Sequence, residues 1–406
     1  MRILMLSHGY PPTVSGVTLV VQKVSRALAR AGHAVAVITA SERGRAYTGE
    51  DEGVQLLRVH SIPNPFWREG PIPYISVNEL SKTIHEFQPD LIHTHENAVL
   101  SRQLRQLNLR DGIPQVASCY YLPRYVTHYL KGSQKLEQWI QNTLWRYAIH
   151  DLDQYAHVIF STPSQRQEYL QHGLSAPSTA ISNGVDMTRY YPSNGHMEDI
   201  EVRYSLPPRP RILFVGRLAK DKKIELLIQC MSQVCMQREA HLLIVGRGDE
   251  RAGLEAMTRQ LGLEANIHLL GFVPEQDLPA LYRASDIFAI ASVCEVQSIP
   301  ALQATVTGLP IVGVKAAALP ELIHENVNGY LVPPDDPQGI SEAILRILNN
   351  PDHALQLGQA SLKIGKAHSE LVTFRKFEQL YRGVILNHAP GQPHQKASAD
   401  QPRPGD

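Results

Sequence analysis

The first forty residues, "MRILMLSHGYPPTVSGVTLVVQKVSRALARAGHAVAVITA" (1–40), decide the fold class. The apolar run "RILML" (2–6) predicts a buried strand, and the Gly/Pro/Ser-containing segment after it predicts a loop. The pattern of "VTLVVQKVSRALARAGH" (17–33) predicts an amphipathic helix that ends at Gly32, and "AVAVITA" (34–40) predicts the next strand. A strand, loop, helix and strand in this order are typical of a parallel sheet covered by helices.

The same alternation begins again after residue 210. "ILFVGRL" (212–218), "AHLLIVGRG" (240–248) and "DIFAIAS" (286–292) predict further strands with helices between them. We therefore expect an α/β protein with two Rossmann-like, doubly wound domains facing a central cleft, where such folds bind ligands.

The polar, Pro-rich stretch "YYPSNGHMEDIEVRYSLPPRPR" (190–211) sets the expected boundary between the domains. A helix at about 370–388 is expected to pack back on the first domain, and the tail 389–406 lacks hydrophobic anchors and is expected to be disordered. The expected organisation is an N-terminal domain (1–190), a linker (191–210), a C-terminal domain (211–369) and the tail.

Composition narrows the class of protein. The 406 residues contain 39 Lys and Arg and 39 Asp and Glu, so net charge gives no attraction to nucleic acid. The four cysteines lack the paired spacing of a zinc site and suit a reducing cytoplasm. No apolar run approaches the roughly 20 residues that span a bilayer, and the N-terminus lacks the pattern of a secretory signal. We expect a cytoplasmic protein, at most peripheral to the inner face of a membrane.

Two loops of the second half carry residues suited to a phosphorylated ligand. "VGRLAKDKK" (215–223) places Arg217 and Lys222 after a strand, where two cations suit a diphosphate, although a solvated loop is the alternative. In "VGRGDERAGLE" (245–255), Gly246 and Gly248 would let the backbone approach a ligand, but ordinary strand-to-helix turns use the same spacing. The three-glycine dinucleotide fingerprint is absent, which counts against a nicotinamide enzyme.

A third loop, "ASVCEVQSIPALQATVTGLPIVGV" (291–314), places a lone acid before a predicted helix. Ser298 is expected to cap that helix, which would begin at Ile299. Glu295 would repel a phosphate at the helix N-terminus, so it suits sugar hydroxyls beside the phosphates. Gln303, about one turn into the helix, suits a second hydroxyl pair such as a ribose. An incidental acid at a helix start is the alternative.

These segments, taken in order, resemble the family 4 retaining glycosyltransferases of the two-Rossmann GT-B fold, over nearly all of the chain before its tail. The matching segments are "SHGYPPTVSGVTLVVQKVSRALARAGHAVAVIT" (7–39), "QPDLIHTHEN" (88–97), "ISNGVDMTRYYP" (181–192), "VGRLAKDKK" (215–223) and "CEVQSIPALQATVTGLPIV" (294–312). The resemblance implies retaining transfer of a hexose from a nucleotide sugar, with a UDP-sugar favoured, to a hydroxyl acceptor, without a metal or other cofactor.

The resemblance also implies roles for single residues. Arg217 and Lys222 would hold the donor diphosphate, and Glu295 would hold hydroxyls of the donor sugar. The other implied donor positions are Gly16, Gly246, the "GFVP" residues Phe272 and Val273 near the base, Ser298 and Ile299 at the phosphates, and Gln303 at the ribose. His95 and Glu96, in "IHTHEN", fall on the acceptor side. His93 and His95 would share one face of a strand but lack a third metal ligand at useful spacing, so an acceptor-side or a structural role is favoured over a metal site.

Two departures from the family pattern bear on activity. Gln303 stands where the family has a second Glu, which would weaken ribose binding by about 1–2 kcal/mol. Tyr120 stands where the family often has a His near the donor sugar, and a tyrosine there is uncharged near neutral pH. In the first loop, Ser15 and Gly16 replace a Gly-Gly pair. A catalytically degenerate nucleotide-sugar-binding protein and a sugar-nucleotide epimerase are the alternatives.

The aromatic stretch 120–155, with Arg124, Lys131, Lys135 and Arg146 interleaved, bears on the acceptor. Aromatic and cationic side chains on one helix face suit a membrane interface. The stretch is similar to the branch of the family that glycosylates diacylglycerol lipids, which implies a lipid acceptor and peripheral membrane contact. A helix packed on its own domain is the alternative, and glycan acceptors stay open.

Overall fold

The computed structural model describes residues 1–13, 15–64, 70–95, 99–107, 112–127, 134–193 and 198–388. Three parts of the predictions fall outside these ranges: the acceptor-side role of Glu96, the place of Lys131 in the aromatic stretch, and the disordered tail 389–406. No helix within the described ranges is both long enough and apolar enough to cross a bilayer.

The first sheet is built around the strand predicted from "RILML". The order of its strands is β3-β4-β2-β1-β6-β7-β8-β9, with β5 paired to β4. The strands are β1 (Arg2–Leu6), β2 (Ala34–Ala40), β3 (Tyr47–Asp51), β4 (Val54–Ile62), β5 (Ile72–Tyr74), β6 (Leu91–Thr94), β7 (Gln115–Cys119), β8 (His157–Phe160) and β9 (Ser178–Ala180). The central pairs β2–β1 and β1–β6 are parallel, as predicted, whereas β3 and β5 pair with β4 in antiparallel fashion.

The second sheet has the order β12-β11-β10-β13-β14-β15, and all of its pairs are parallel. Its strands are β10 (Arg211–Val215), β11 (His241–Val245), β12 (Ile267–Gly271), β13 (Ile287–Ile290), β14 (Ile311–Val314) and β15 (Gly329–Val332). Strand β11 is buried along its whole length because helices cover both faces of such a sheet. These two sheets confirm the predicted α/β class.

Helices separate most of the parallel strands along the chain. They are α1 (Gly16–Arg30), α2 (Val77–Phe87), α3 (Val99–Gln106), α4 (Pro123–Thr127), α5 (Gln134–Leu152), α6 (Pro163–Gln171), α7 (Glu198–Arg203), α8 (Ile224–Gln237), α9 (Arg251–Gln260), α10 (Leu278–Arg283), α11 (Ile299–Thr307), α12 (Pro337–Leu348), α13 (Pro351–Gly365) and α14 (Glu370–Asn387). Helix α1 ends within two residues of the predicted Gly32. The polar segment predicted as a linker contains the six-residue helix α7.

Contacts between residues divide the chain into two compact units, and the division differs from the expected boundary at 191–210. Among the described residues, the first unit comprises those within 1–118, 154–158 and 377–388, and the second comprises those within 119–153 and 159–376. Within the second unit, residues of the segments 119–153 and 159–190 hydrogen-bond to the loop after β13, as described below. The C-terminal half of α14 belongs to the first unit, where the Tyr381 hydroxyl lies 2.6 Å from Nδ1 of His93.

The order of the second sheet determines where a site can form. The chain runs from β10 outward through β11 and β12 and then returns to β13 on the other side of β10. At such a switch point the loops after the two central strands diverge and leave a crevice. The loops after β10 and β13 are those that hold Lys222 and Glu295.

Candidate functional site

Lys222 and Glu295 form an ion pair at the switch point of the second sheet. Nζ of Lys222 lies 2.7 Å from Oε1 of Glu295, although the two residues are far apart in sequence. Lys222 ends a short 3₁₀ helix after β10 (Lys220–Lys222), and Glu295 lies in the loop between β13 and α11. Two loops that were selected separately from the sequence therefore bring opposite charges together.

Asp221 completes the charged cluster. Its carboxylate lies 3.3 Å from Nζ of Lys222 and 3.3 Å from Nη2 of Arg217. Its backbone carbonyl accepts hydrogen bonds from Oγ of Ser292 and from the amide of Val293, both at 3.2 Å, which ties the β10 loop to the β13 loop. Sequence analysis did not select Asp221, although its place beside Lys222 was visible.

The two cations of this cluster differ in their surroundings. Burial by itself lowers the pKa of Lys222, but the carboxylates of Glu295 and Asp221 outweigh burial and raise that pKa above its ordinary value. Lys222 is therefore a fixed cation at neutral pH, held by two acids. The side chain of Arg217 is 64% exposed, so its guanidinium is open to an incoming anion.

Gly246 and Gly248 allow a close approach between two protein loops. Their φ angles are +142° and +158°, and a Cβ on either would lie 1.8 Å from the carbonyl oxygen of Gly216 or 2.1 Å from that of Leu218. The amide of Leu218 also donates to the carbonyl of Arg247 at 2.8 Å. The close packing of the two loops therefore explains why glycines stand at these two positions. This is the structural explanation that the sequence left open.

The start of α11 agrees with the prediction. The helix begins at Ile299, Pro300 is its second residue, and Oγ of Ser298 accepts a hydrogen bond from the amide of Ala301 at 3.3 Å. A serine at the N-cap and a proline in the first turn are both favoured there. The N-terminal end of α11 thus follows Glu295 by four residues.

Gln303 is enclosed by side chains of the protein, and its role at a ribose stays a prediction. It is 5% exposed, and its side-chain oxygen accepts a hydrogen bond from the hydroxyl of Tyr282 at 3.0 Å. Its amide nitrogen donates to the hydroxyl of Tyr190 at 2.8 Å, and that hydroxyl donates to Glu275 at 3.2 Å. Burial raises the pKa of both tyrosines, so each hydroxyl keeps its proton. Both ends of the amide are therefore occupied by the protein.

The "GFVP" residues differ in their exposure. Phe272 is half exposed, and the guanidinium of Arg247 lies 5.0 Å from the centre of its ring. Val273 is buried in the core of the second unit. Of these two donor-side positions, Phe272 is the one whose side chain presents a flat apolar surface to solvent.

Tyr120 follows β7 and is half buried. The backbone on either side of it is fixed because Nε2 of Gln165 donates to the carbonyls of Cys119 and Tyr121, at 3.0 and 3.1 Å. Sequence analysis missed Tyr125, whose hydroxyl donates to the backbone carbonyl of Glu295 at 3.3 Å. Tyr125 lies in the aromatic stretch that the sequence assigned to a membrane surface, so its position gave no sign of this contact.

Two candidate residues lie in the first unit. Gly16 is the first residue of α1, directly after the N-cap Ser15. His95 is 1% exposed, and burial lowers its pKa to about 3, so it is a neutral core histidine. Its ring lies 3.9 Å from that of His93, which is within hydrogen-bond distance of Tyr381 and Ser118. This burial suits a structural role for His95, and its acceptor-side role stays a prediction.

A cavity of about 240 Å³ lies beside the start of α11. Its polar lining residues are Ser161, Thr162, Ser182, Gln297, Ser298, Glu321, His368 and Lys376. Across the described ranges, no three His, Cys, Asp or Glu side chains cluster closely enough to hold a metal ion.

Each half of the chain matches a known protein family. Residues 14–189 match the family described as Glycosyltransferase Family 4, and residues 198–363 match Glycosyl transferases group 1. Together the two matches cover more than four-fifths of the chain.

Individual proteins agree with this assignment. A glycosyltransferase of Methanocaldococcus jannaschii is 28% identical and matches 86% of this chain and 90% of its own length. The alpha-monoglucosyldiacylglycerol synthase of Streptococcus pneumoniae is 22% identical, over 87% of this chain and 81% of its own. The solved structure of Anabaena Alr3699/HepE in complex with UDP-glucose superposes with a TM-score of 0.76 at 19% identity, covering 94% of this chain and 99% of that one.

A structural likeness at this identity shows the fold alone, and the fold is GT-B, as the resemblance implied. The family matches extend the assignment from fold to class of enzyme. The chain belongs to the family 4 glycosyltransferases, with a group 1 glycosyl transferase region in its second half.

Proposed function

We propose that this protein is a retaining, metal-independent hexosyltransferase that uses a nucleotide sugar, with a UDP-sugar favoured, and a hydroxyl acceptor. The observation that carries the proposal is the ion pair of Lys222 and Glu295, 2.7 Å apart at the switch point, with exposed Arg217 joined to it through Asp221. Ligands of doubly wound sheets bind at this place in the fold.

The cluster offers the two kinds of contact that a nucleotide sugar needs. During transfer, the bond between the anomeric carbon and the diphosphate breaks and the diphosphate leaves with the electron pair. The acceptor hydroxyl oxygen forms the new bond to the anomeric carbon, and its proton passes to the departing phosphate. In this proposal, Arg217 and Lys222 stabilise that negative charge, which is the part a divalent cation plays in other enzymes. Glu295 is an acceptor of hydrogen bonds from sugar hydroxyls, and its bond to Lys222 holds it near the phosphates.

UDP is proposed as the nucleotide because of a structural relative. The Anabaena protein with the same fold was solved with UDP-glucose, which makes UDP-glucose the first donor to test. After β12, the exposed ring of Phe272 under the guanidinium of Arg247 provides a surface on which a base can stack.

A lipid acceptor and peripheral contact with the inner face of a membrane form the next part of the proposal. Helix α5 exposes Leu136, Trp139 and Tyr147, and Trp139 is 64% exposed. Lys135 and Arg146 are exposed on the same helix, whereas Trp145 on its other face is buried and stacks on His172 at 3.7 Å. An exposed face of aromatic and cationic residues suits an anionic membrane surface, and the pneumococcal relative is named for a diacylglycerol product.

Calorimetric titration with UDP, GDP and ADP tests the donor site first, because it requires no knowledge of the acceptor. Binding of UDP, followed by transfer from UDP-glucose in the presence of a chelator, would support the proposal. Nucleotide binding with no transfer to any lipid or glycan acceptor would instead favour the degenerate binding protein, for which the replacement of His by Tyr120 is the relevant observation. Interconversion of the free nucleotide sugar would favour an epimerase.

Sedimentation with vesicles tests the membrane contact. Wild-type protein should bind vesicles that contain anionic phospholipid more strongly than neutral ones, and Trp139→Ala should weaken that binding. Tyr74→Ala provides a control, because Tyr74 is an aromatic residue of similar exposure, 63%, outside α5. Equal loss in both variants would contradict a role for α5, and the lipid acceptor would then lose its support.

A further inference from the structure

The loop that holds Glu295 is anchored residue by residue; we call residues 293–298 the Glu295 loop. The carbonyl of Glu295 accepts hydrogen bonds from the hydroxyl of Tyr125 at 3.3 Å and from the amide of Ala318 at 3.2 Å. The carbonyl of Val296 accepts from Oγ1 of Thr162 at 3.2 Å. The partners of this loop thus come from segments more than 20 and as many as 170 residues away.

Gln297 makes the largest set of these contacts with a single side chain. Its oxygen accepts from the amide of Asn183 at 2.8 Å and from Oγ of Ser182 at 3.3 Å. Its nitrogen donates to the carbonyl of Ser161 at 3.0 Å. One neutral amide therefore joins the Glu295 loop to the ends of both β8 and β9.

One side of the Gln297 side chain faces a cavity, so few packed atoms hold it there. Gln297 lines the cavity of about 240 Å³, together with Ser161, Ser182 and the N-cap Ser298. A side chain at a cavity wall lacks contacts on the side of the void. Its position therefore depends on hydrogen bonds, and removing them leaves the amide of Asn183 and the carbonyl of Ser161 without this partner.

We propose that Gln297 is a positioning residue that fixes the Glu295 carboxylate, and with it the orientation of the donor sugar. The inference rests on the proposed function for its effect on transfer. Gln297 and Glu295 are two residues apart, so a shift of one peptide displaces the other, and a misplacement of about 1 Å in a reacting group can cost up to about 100-fold in rate. Gln297 itself is not assigned any contact with substrate.

Gln297→Met provides the main test, because methionine keeps the length of the side chain and makes none of the three hydrogen bonds. The variant should lower kcat for transfer about tenfold, in line with two or three lost hydrogen bonds, while the Kd for free UDP stays within about twofold of wild type. Gln297→Glu should be at least as impaired, because a carboxylate oxygen would then face the carbonyl of Ser161. Hydrogen exchange at the amides of residues 293–299 should become faster in both variants.

Gln233→Met is the matched control. Gln233 is an exposed residue of the same unit that accepts a hydrogen bond from Ser341 at 2.5 Å, far along the chain from the Glu295 loop. The control should keep wild-type kcat and leave exchange at residues 293–299 unchanged. Unchanged kcat in Gln297→Met, or equal losses in the control, would overturn the proposal.

The exchange measurement separates this inference from the proposed function. If wild-type protein binds no nucleotide and transfers no sugar, the proposed function fails, but faster exchange in Gln297→Met would still support Gln297 as the residue that positions the loop. If wild-type protein is active and exchange at residues 293–299 does not change in Gln297→Met, the positioning role fails and the function stands.

Discussion

Glu295 and Gln303 are eight residues apart on either side of the start of α11, and their side chains lie in different environments. Glu295 belongs to a charged cluster in which Arg217 is largely exposed. Gln303 belongs to a buried chain of hydrogen bonds that runs from Tyr282 through its amide and Tyr190 to Glu275. The difference teaches that a polar residue is available to a ligand only where the protein leaves part of its bonding capacity unused.

The charged cluster should show the largest effect of substitution. Lys222→Ala and Glu295→Ala should each lower transfer by about 10²–10³-fold, because each removes a charged contact aimed at the donor. Steady-state transfer from UDP-glucose measures the loss, and far-ultraviolet circular dichroism checks that the variants are folded. Lys220→Ala, an exposed lysine of the same 3₁₀ helix, is the control and should retain wild-type transfer. Near-full transfer in either main variant would remove Lys222 and Glu295 from the site.

Substitutions in the buried chain of hydrogen bonds around Gln303 should change the stability of the protein instead of its transfer rate. Gln303→Glu should lower the free energy of unfolding by about 2 kcal/mol, because the hydroxyl of Tyr190 has one proton and would face two carboxylates, the introduced one and that of Glu275. Urea denaturation measures the change.

A second substitution sharpens this prediction. Adding Glu275→Gln to Gln303→Glu reverses the direction of the hydrogen bonds at Tyr190. The new amide at 275 can donate to the Tyr190 hydroxyl, and that hydroxyl can donate to the new carboxylate at 303. Part of the lost stability should return. A stable Gln303→Glu variant with tighter binding of UDP would show instead that residue 303 faces the ligand, as the sequence alone suggested.

Removing the hydroxyl of Tyr125 should lower transfer less than replacing Lys222 or Glu295. Tyr125→Phe removes one hydrogen bond to the carbonyl of Glu295 and should lower transfer about fivefold, which corresponds to about 1 kcal/mol. Tyr204→Phe removes the bond from a tyrosine of the same unit to Asp277, 2.8 Å long, and serves as the control in the same assay. A larger loss in Tyr204→Phe than in Tyr125→Phe would contradict a specific role for Tyr125.

The pH dependence of Lys222 should be the smallest effect in the neutral range. Its folded pKa is raised above the ordinary 10.5, so its contribution to stability is complete below 10.5 and is lost as the pH rises through the folded pKa. The difference in unfolding free energy between wild type and Lys222→Met should therefore be constant from about pH 6 to about pH 9 and shrink only above about pH 10.5. A difference that already shrinks near pH 8 would mean that burial outweighs the two carboxylates.

Prediction from sequence succeeded where local pattern determines structure. The apolar runs gave the parallel strands, and the Ser-x-Pro start of α11 was predicted to the residue because capping depends on neighbours in sequence. The antiparallel strands β3 and β5 were missed: β3 is largely exposed and lacks an alternating apolar face, and β5 has only three residues. The grouping of residues 119–153 and 159–190 with the second unit accompanies contacts such as Tyr125 with Glu295, which no local pattern reveals.

The same distinction between local pattern and distant contacts applies to the residues of the candidate site. Arg217, Lys222 and Glu295 were selected from sequence because charged residues at the ends of predicted strands are informative about ligands. Gln303 and His95 were selected by the same reasoning, yet both are buried. Asp221, Tyr125 and Gln297 were not selected, because an acid beside a lysine, a tyrosine in an aromatic stretch and a glutamine in a loop have many ordinary explanations.

The sequence by itself determined the α/β class, the repeated strand and helix pattern, the family, and the loops that carry the charges. These properties follow from side-chain periodicity and short motifs, which are local. The tertiary structure alone decided that Lys222 meets Glu295, that Gln303 is enclosed by Tyr190 and Tyr282, and that Gln297 binds the ends of β8 and β9. These outcomes depend on contacts between residues that are far apart in sequence, and such contacts form only when the chain has packed.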